Sequence, residues 1–288
     1  MMRFLTVAAM SVAAGAASAQ APEGWIFSFD GAYLNQDSSD TNGGGSFSAD
    51  RVYSRVGAFK RNPGGISYGV SATFGQSDYD FSGMPALWDK VDERSVTVSL
   101  AGRTANGMRW FVAPSVRSRY ASGASASDGR SAGLFAGVSW EVGDNLVIGP
   151  AFGAFEGLGG DDYDAFPALL LDWEFANRWS LSTGPTLGAS QGPGLSLRYD
   201  VSDTWGLTLS ARQETNRFAL AGGNVGQDKS VPVVMSLSYD PNPGMSFVVF
   251  AGAEVDGSLA VENATGATLS KQSYDTAPLM GVAFSLSF

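Results

Sequence analysis

The sequence has no cysteine and no histidine, and only 16% of its residues are charged. Without cysteine there is no disulfide framework, thiolate nucleophile or zinc-finger cage, and without histidine the commonest general base and transition-metal ligand is missing. Most familiar hydrolase constellations are thereby excluded. Positive charge is scarce: 18 Lys and Arg against 28 Asp and Glu give a net charge of −10. This leaves no basic face with which to neutralise nucleic-acid phosphates. Beyond the first 19 residues no segment approaches the ~20 consecutive apolar residues that a membrane-crossing helix needs. What is abundant is glycine, 37 of 288 residues, as in a sheet protein with many turns.

The N-terminal stretch MMRFLTVAAMSVAAGAASA has one positive charge at Arg3, an apolar run from Phe4 to Ala14 and a small-residue cleavage site at Ala17-Ser18-Ala19. These are the parts of a secretory signal peptide. Residues 1–19 are expected to be removed, leaving 20–288 as a single exported domain that begins at Gln20.

Alternation with period two recurs through the rest of the chain. Ile66, Tyr68, Val70, Ala72 and Phe74 interleave with Ser67, Gly69, Ser71 and Thr73, and Met280, Val282, Phe284, Leu286 and Phe288 interleave with Gly281, Ala283, Ser285 and Ser287. One face is apolar and the other small and polar. The pattern predicts an all-β chain of about 14 strands, with 12 as the other count. Its connections alternate in length. Short turns fall near 61–64, 104–106, 143–144, 176–177, 202–203 and 241–243, and longer loops near 35–49, 76–90, 121–129, 156–163, 190–192, 215–229 and 256–277. Even strand number, tight turns at one end and longer loops at the other describe an antiparallel up-and-down transmembrane barrel.

Tryptophan placement agrees. Trp25, Trp110, Trp140, Trp173, Trp179 and Trp205 fall near strand ends on the short-turn side, with Phe288 at the same level, whereas Trp88 falls in a predicted solvated loop. Indole rings gather where lipid headgroups meet hydrocarbon, so this set is read as an aromatic girdle in contact with membrane lipid. A soluble sandwich would explain the alternation but not the gathering of Trp at one set of ends.

The last strand, GVAFSLSF, ends the chain on an aromatic residue and is similar to the C-terminal signal read by the outer-membrane barrel assembly machinery. The mature chain resembles the outer-membrane β-barrel proteins of Gram-negative bacteria, and 166–218 resembles a domain family of uncharacterised outer-membrane barrels. The resemblance implies the bacterial outer membrane as location and the assembly machinery as partner. It implies no activity, and oligomeric state stays open.

With apolar residues assigned to lipid, two layers of charge face the lumen. Arg109, Glu141, Asp172, Glu174, Arg198 and Asp200 lie near the periplasm, and Arg117, Arg119, Arg212, Glu214 and Glu254 nearer the outside. Mixed-sign layers serve equally as the field of a pore or as ion pairs that stiffen a wall. The remaining inward positions read as Ser, Gly, Ala and Thr, too small to fill a barrel of this size. The expectation is a passive channel for small polar solutes; the alternative is a non-conducting structural or adhesion barrel whose loops 35–49, 215–229 and 256–277 fold inward. No catalytic, cofactor or metal site is read. The aspartate-rich segment at Asp161, Asp162 and Asp164 lacks the EF-hand spacing and is expected to be solvated loop.

Overall fold

The computed structural model describes residues 24–158, 163–184 and 193–288, so the segment read as a signal peptide lies outside the described residues. Among the described residues the chain forms fourteen antiparallel strands closed into one barrel. They are β1 (Gly24–Asp40), β2 (Ser46–Arg61), β3 (Ser67–Ser82), β4 (Lys90–Arg103), β5 (Arg109–Ala121), β6 (Arg130–Val142), β7 (Leu146–Glu156), β8 (Tyr163–Ala176), β9 (Trp179–Ser182) and β10 (Gly194–Asp200). Then come β11, in two successive halves (Trp205–Arg212 and Glu214–Ala219), β12 (Val225–Asn242), β13 (Met245–Glu262) and β14, again in two halves (Thr268–Tyr274 and Ala277–Ser287). Both halves of β11 pair with β12 without loss of register, and Arg212 falls opposite Pro232, which has no N–H to give the ladder.

Closure is made by β1 against β14, from Ser28 opposite Ser287 to Gln36 opposite Leu279. The terminal residue takes part: Phe288 N–H donates to Phe27 O at 2.9 Å, and Phe27 N–H to Phe288 O at 3.1 Å. A closed barrel satisfies every strand edge, which is what a bilayer demands of a sheet.

The outward face is apolar over a limited height. On β1, Trp25, Phe27, Phe29 and Tyr33 are exposed, and the next outward positions are Asn35 and Asp37. On β2 and β3 the change comes after Val52 and Phe74, at Asp50 and at Gln76 and Asp78. Since about 9–11 tilted residues cross a bilayer, the 17 residues of β1 and 16 each of β2 and β3 overshoot the apolar band on the outer side.

This revises the predicted loops. Most of 35–49, 76–90, 215–229 and 256–277 is strand, and the actual turns are 41–45, 83–89, 220–224 and 263–267. Alternation had marked only the part of each strand that faces lipid; above it both faces carry polar residues and the period-two contrast fades. Nor do those segments fold inward as loops. Their inner faces pack against one another, and Phe47, Tyr79, Trp88, Phe218, Leu259 and Tyr274 form an apolar core inside the outer end of the barrel. Trp88 is therefore not in solvent: its ring meets Phe218 at 4.9 Å and Tyr79 at 5.6 Å, edge to face.

Trp88→Ala should destabilise the barrel by about 3–5 kcal/mol, well beyond the effect of Trp205→Ala, because Trp88 is 6% and Trp205 41% exposed. Denaturant unfolding in lipid vesicles measures both; an equal or larger effect at Trp205 would refute the packed outer core.

Candidate functional site

The site of interest is the inner surface of the barrel, and it divides by height. Near the outer end Arg51 on β2 spans the interior. Its Nη1 donates to Glu254 Oε1 on β13 at 2.8 Å, and its Nη2 donates to Gln36 Oε1 on β1 at 2.7 Å and to Asp228 Oδ2 on β12 at 3.2 Å. Along the wall β1, β14 and β13 separate β2 from β12, so the Arg51–Asp228 pair is a chord across the lumen. Two phenols complete it: Tyr79 O–H donates to Asp228 at 2.8 Å and Tyr274 O–H to Glu254 at 3.1 Å. The side chains of Arg51, Asp228 and Glu254 are 2–6% exposed. In this dry region each charge is tolerable only through its partners. Arg119 and Glu93 pair at 3.0 Å nearby, and Arg212 pairs with Glu214. The outer half of β11 leans across the interior, where Ala219 makes a parallel bridge to Tyr120 of β5. Thus β1–β5 and β11–β14 enclose a smaller, filled tube at the outer end.

Toward the short-turn rim the charged pairs are more open to solvent. Arg109 and Arg103 both pair with Glu141, the second at 2.6 Å, and the Arg103–Glu141 side chains are 50% and 41% exposed. Arg198 Nε donates to Asp200 at 2.8 Å and its Nη2 to Asp240 at 3.1 Å. Asp172 and Glu174 share the inner face of β8, with Asp172 within the field of Arg109. Higher on β5, Arg117 Nε donates to Ser131 Oγ at 3.0 Å, and its guanidinium sits over the Phe155 ring, 5.1 Å from the centroid.

By strand phase these charges stand opposite the exposed apolar face, but they do not form the two layers foreseen. Glu254 is bound to Arg51 rather than to the other outer arginines, and Arg119, Arg212 and Glu214 belong to the dry layer with it. Sequence reasoning missed Arg51, Asp228, Glu93 and Asp240, and the pair Arg55–Asp30, joined at 2.7 Å. Arg51 and Arg55 were visible in the phase opposite to Val52 and Val56, as was Asp30 opposite to Phe27 and Phe29. Asp228 gave no such signal, since its neighbours Gln227 and Lys229 are also polar. A further correction concerns the expected wall of small residues. Phe111, Phe135, Phe155, Phe166 and Leu170 also face inward, on β5–β8.

Outside, aromatic residues stand in a row at the short-turn end of the strands. Trp25, Trp140, Trp173, Trp179, Trp205 and Phe288 are exposed, and Trp110 is half-buried with its indole over Gly102. Ring pairs continue the row, Trp179–Tyr199 at 4.8 Å and Trp205–Tyr239 at 4.7 Å.

No family model matches the chain, and no curated protein matches it. Among solved structures, an outer membrane channel from Pseudomonas putida F1 superposes with a TM-score of 0.52 at 11% identity, over 95% of this chain and 98% of that one. Two others are fainter. The toluene transporter TodX of Pseudomonas putida gives a TM-score of 0.46 at 9% identity, covering 93% of this chain and 91% of its own. The translocator domain of the autotransporter NalP from Neisseria meningitidis gives 0.41 at 11% identity, covering 97% and 93%. The protein is a 14-strand antiparallel transmembrane barrel with the fold of bacterial outer-membrane channels.

Arg51→Ala should cost roughly 3–5 kcal/mol, because it leaves Glu254 and Asp228 buried without their cation. Arg103→Ala, in a solvated pair, should change stability by no more than about 0.5 kcal/mol. Unfolding in lipid vesicles compares them, and similar small effects at both positions would show that the outer layer is not dry.

Proposed function

We propose that the protein is a passive outer-membrane channel for small polar solutes, rather than an enzyme, and that the path runs through the wide lower barrel along the inner faces of β5–β10. One observation carries this reading: charges at the short-turn rim reach solvent while the outer ones are sealed. Glu141 and Arg103 are about half exposed, whereas Arg51, Asp228 and Glu254 are almost wholly buried. A solute entering from the periplasm thus meets a water-lined vestibule whose far end is closed over β1–β5 and β11–β14. The side left is that of β6–β10, from which the outer half of β11 turns away toward β5.

In this reading Arg109, Arg117, Glu141, Asp172, Glu174, Arg198 and Asp200 act on passing solutes, while Arg119, Arg212, Glu214 and Glu254 hold the closed sector. The exposed aromatics anchor the barrel in the lipid interface. The C-terminal strand, zipped to β1 through Phe288, is the segment offered to the assembly machinery, and Gln20 is the first residue after export.

A second reading, a non-conducting barrel, is favoured by the filled outer end itself. Planar-bilayer recording separates the two. The wild type should conduct in KCl, and Asp172→Asn with Glu174→Gln should shift selectivity toward anions, since two carboxylates leave the vestibule. Absence of wild-type conductance, or unchanged reversal potentials in the double variant, would overturn the channel reading.

A further inference from the structure

The buried cluster at the outer end does not balance its charge. Arg51 brings one guanidinium to two carboxylates, Glu254 at 2.8 Å and Asp228 at 3.2 Å, and the three side chains are 2–6% exposed. The charges around them come in pairs of opposite sign: Arg119 with Glu93, Arg212 with Glu214, Arg55 with Asp30 and Arg217 with Glu262. Arg117 of β5 turns to Ser131 of β6 and to the Phe155 ring of β7. Glu214 adds a like charge within range of Glu254, and Tyr53 lies beside Arg51 and Glu93. Among the described residues, Arg51, Asp228 and Glu254 are thus left with one negative charge in excess. A buried charge without a counter-charge is costly, and a carboxylate in that position is neutralised by taking a proton.

The hydrogen bonds show where that proton belongs. Asp228 accepts from three donors: Arg51 Nη2, the Tyr79 hydroxyl at 2.8 Å and the Tyr274 hydroxyl at 3.4 Å. Glu254 accepts from Arg51 Nη1, and its Oε2 lies 3.1 Å from the Tyr274 oxygen. Tyr274 has a single proton and both carboxylates within reach, so two ionised carboxylates compete for it. A proton on Glu254 Oε2 ends the competition. Glu254 then donates to the Tyr274 oxygen, and the Tyr274 hydroxyl donates to Asp228. The mirror arrangement, with the proton on Asp228, leaves Glu254 as the anion with two donors instead of three and spends the Tyr79 hydroxyl on a neutral acid. Hydrogen bonds favour the charged form where they are most numerous, which is at Asp228.

We propose that the Arg51 cluster is a proton-operated tie across the barrel, in which Glu254 takes one proton and closes a neutral hydrogen-bond chain through Tyr274 to Asp228 and Arg51. Without that proton two carboxylates share one guanidinium, and the tie slackens. Its response is opposite to that of an ordinary ion pair, which acid breaks. Unfolding puts Glu254 in water, where a glutamate is ionised above about pH 4.3. The folded protein therefore holds one more proton than the unfolded chain while the tie is closed, and its stability falls as pH rises through that range. Nothing in this requires the barrel to conduct, so the tie stands or falls apart from the channel reading.

The test uses the full-length folded protein in lipid vesicles, from about pH 5, just above the range of a free glutamate, to about pH 9. Infrared spectra should show the carbonyl band of a protonated carboxyl group at the acid end, fading as pH rises, and Glu254→Gln should lack it. In denaturant unfolding, the folding equilibrium constant of the wild type relative to Glu254→Gln should fall with rising pH, by up to about tenfold per pH unit. No such band at the acid end, a band that does not fade, a band unchanged in Glu254→Gln, or a stability ratio independent of pH would each overturn the tie. Should Glu254→Gln fail to fold, Tyr274→Phe, which removes the acceptor of that proton, should shift both the band and its midpoint; an unshifted band is equally decisive against it.

Discussion

Arg51 sets the shape of the outer half of this barrel. A guanidinium removed from water needs anions within hydrogen-bond distance, and Glu254 and Asp228 need it in return. The three sit on β2, β13 and β12, so satisfying them draws opposite parts of the wall together across the lumen. Tyr79 and Tyr274 bring β3 and β14 into the same cluster, and the rings of Phe47, Trp88 and Phe218 fill the space above. Once those strands are tied, the outer mouth is no longer a circle of fourteen strands with water in it. The members of the network all stand on β1–β3 and β12–β14.

Glycine supplies the second constraint. On β6 and β7 it stands opposite phenylalanine, and the missing Cβ is the space that a neighbouring ring fills. The same device recurs in the outer core, where Phe218 covers Gly226 and Tyr274 covers Gly257. Part of the glycine content is thereby explained by close approach of rings to strands, beside the part that serves the turns.

How much of this could be read from the sequence differs by region. Where a strand crosses lipid, one face must be apolar and the other need not be, so Trp25, Phe27 and Phe29 against Ser28 and Asp30 give both the strand and its orientation. Where the strands leave the membrane, both faces can be polar, and 35–49 or 215–229 look like loops although they are ladders. The lumen was legible in part. Isolated charges such as Arg109 or Glu254 betray their inward phase, but a phenylalanine such as Phe135 or Phe166 reads as lipid-facing by composition, and only pairing with Gly153 shows otherwise. Arg51 finding Glu254 across 203 residues of chain has no local signature at all.

Because the chain has no cysteine, any introduced thiol is unique. The account as a whole turns on whether water and solutes pass beside β5–β10 while the Arg51 sector stays shut. Ser180 lies on the inner face of β9 opposite Arg198, and Ser230 lies in the sealed sector, 4% exposed. A membrane-impermeant maleimide added to intact cells should label Ser180→Cys and leave Ser230→Cys unlabelled. Labelling of Ser230→Cys as fast as Ser180→Cys, or protection of Ser180→Cys from the outside, would contradict it.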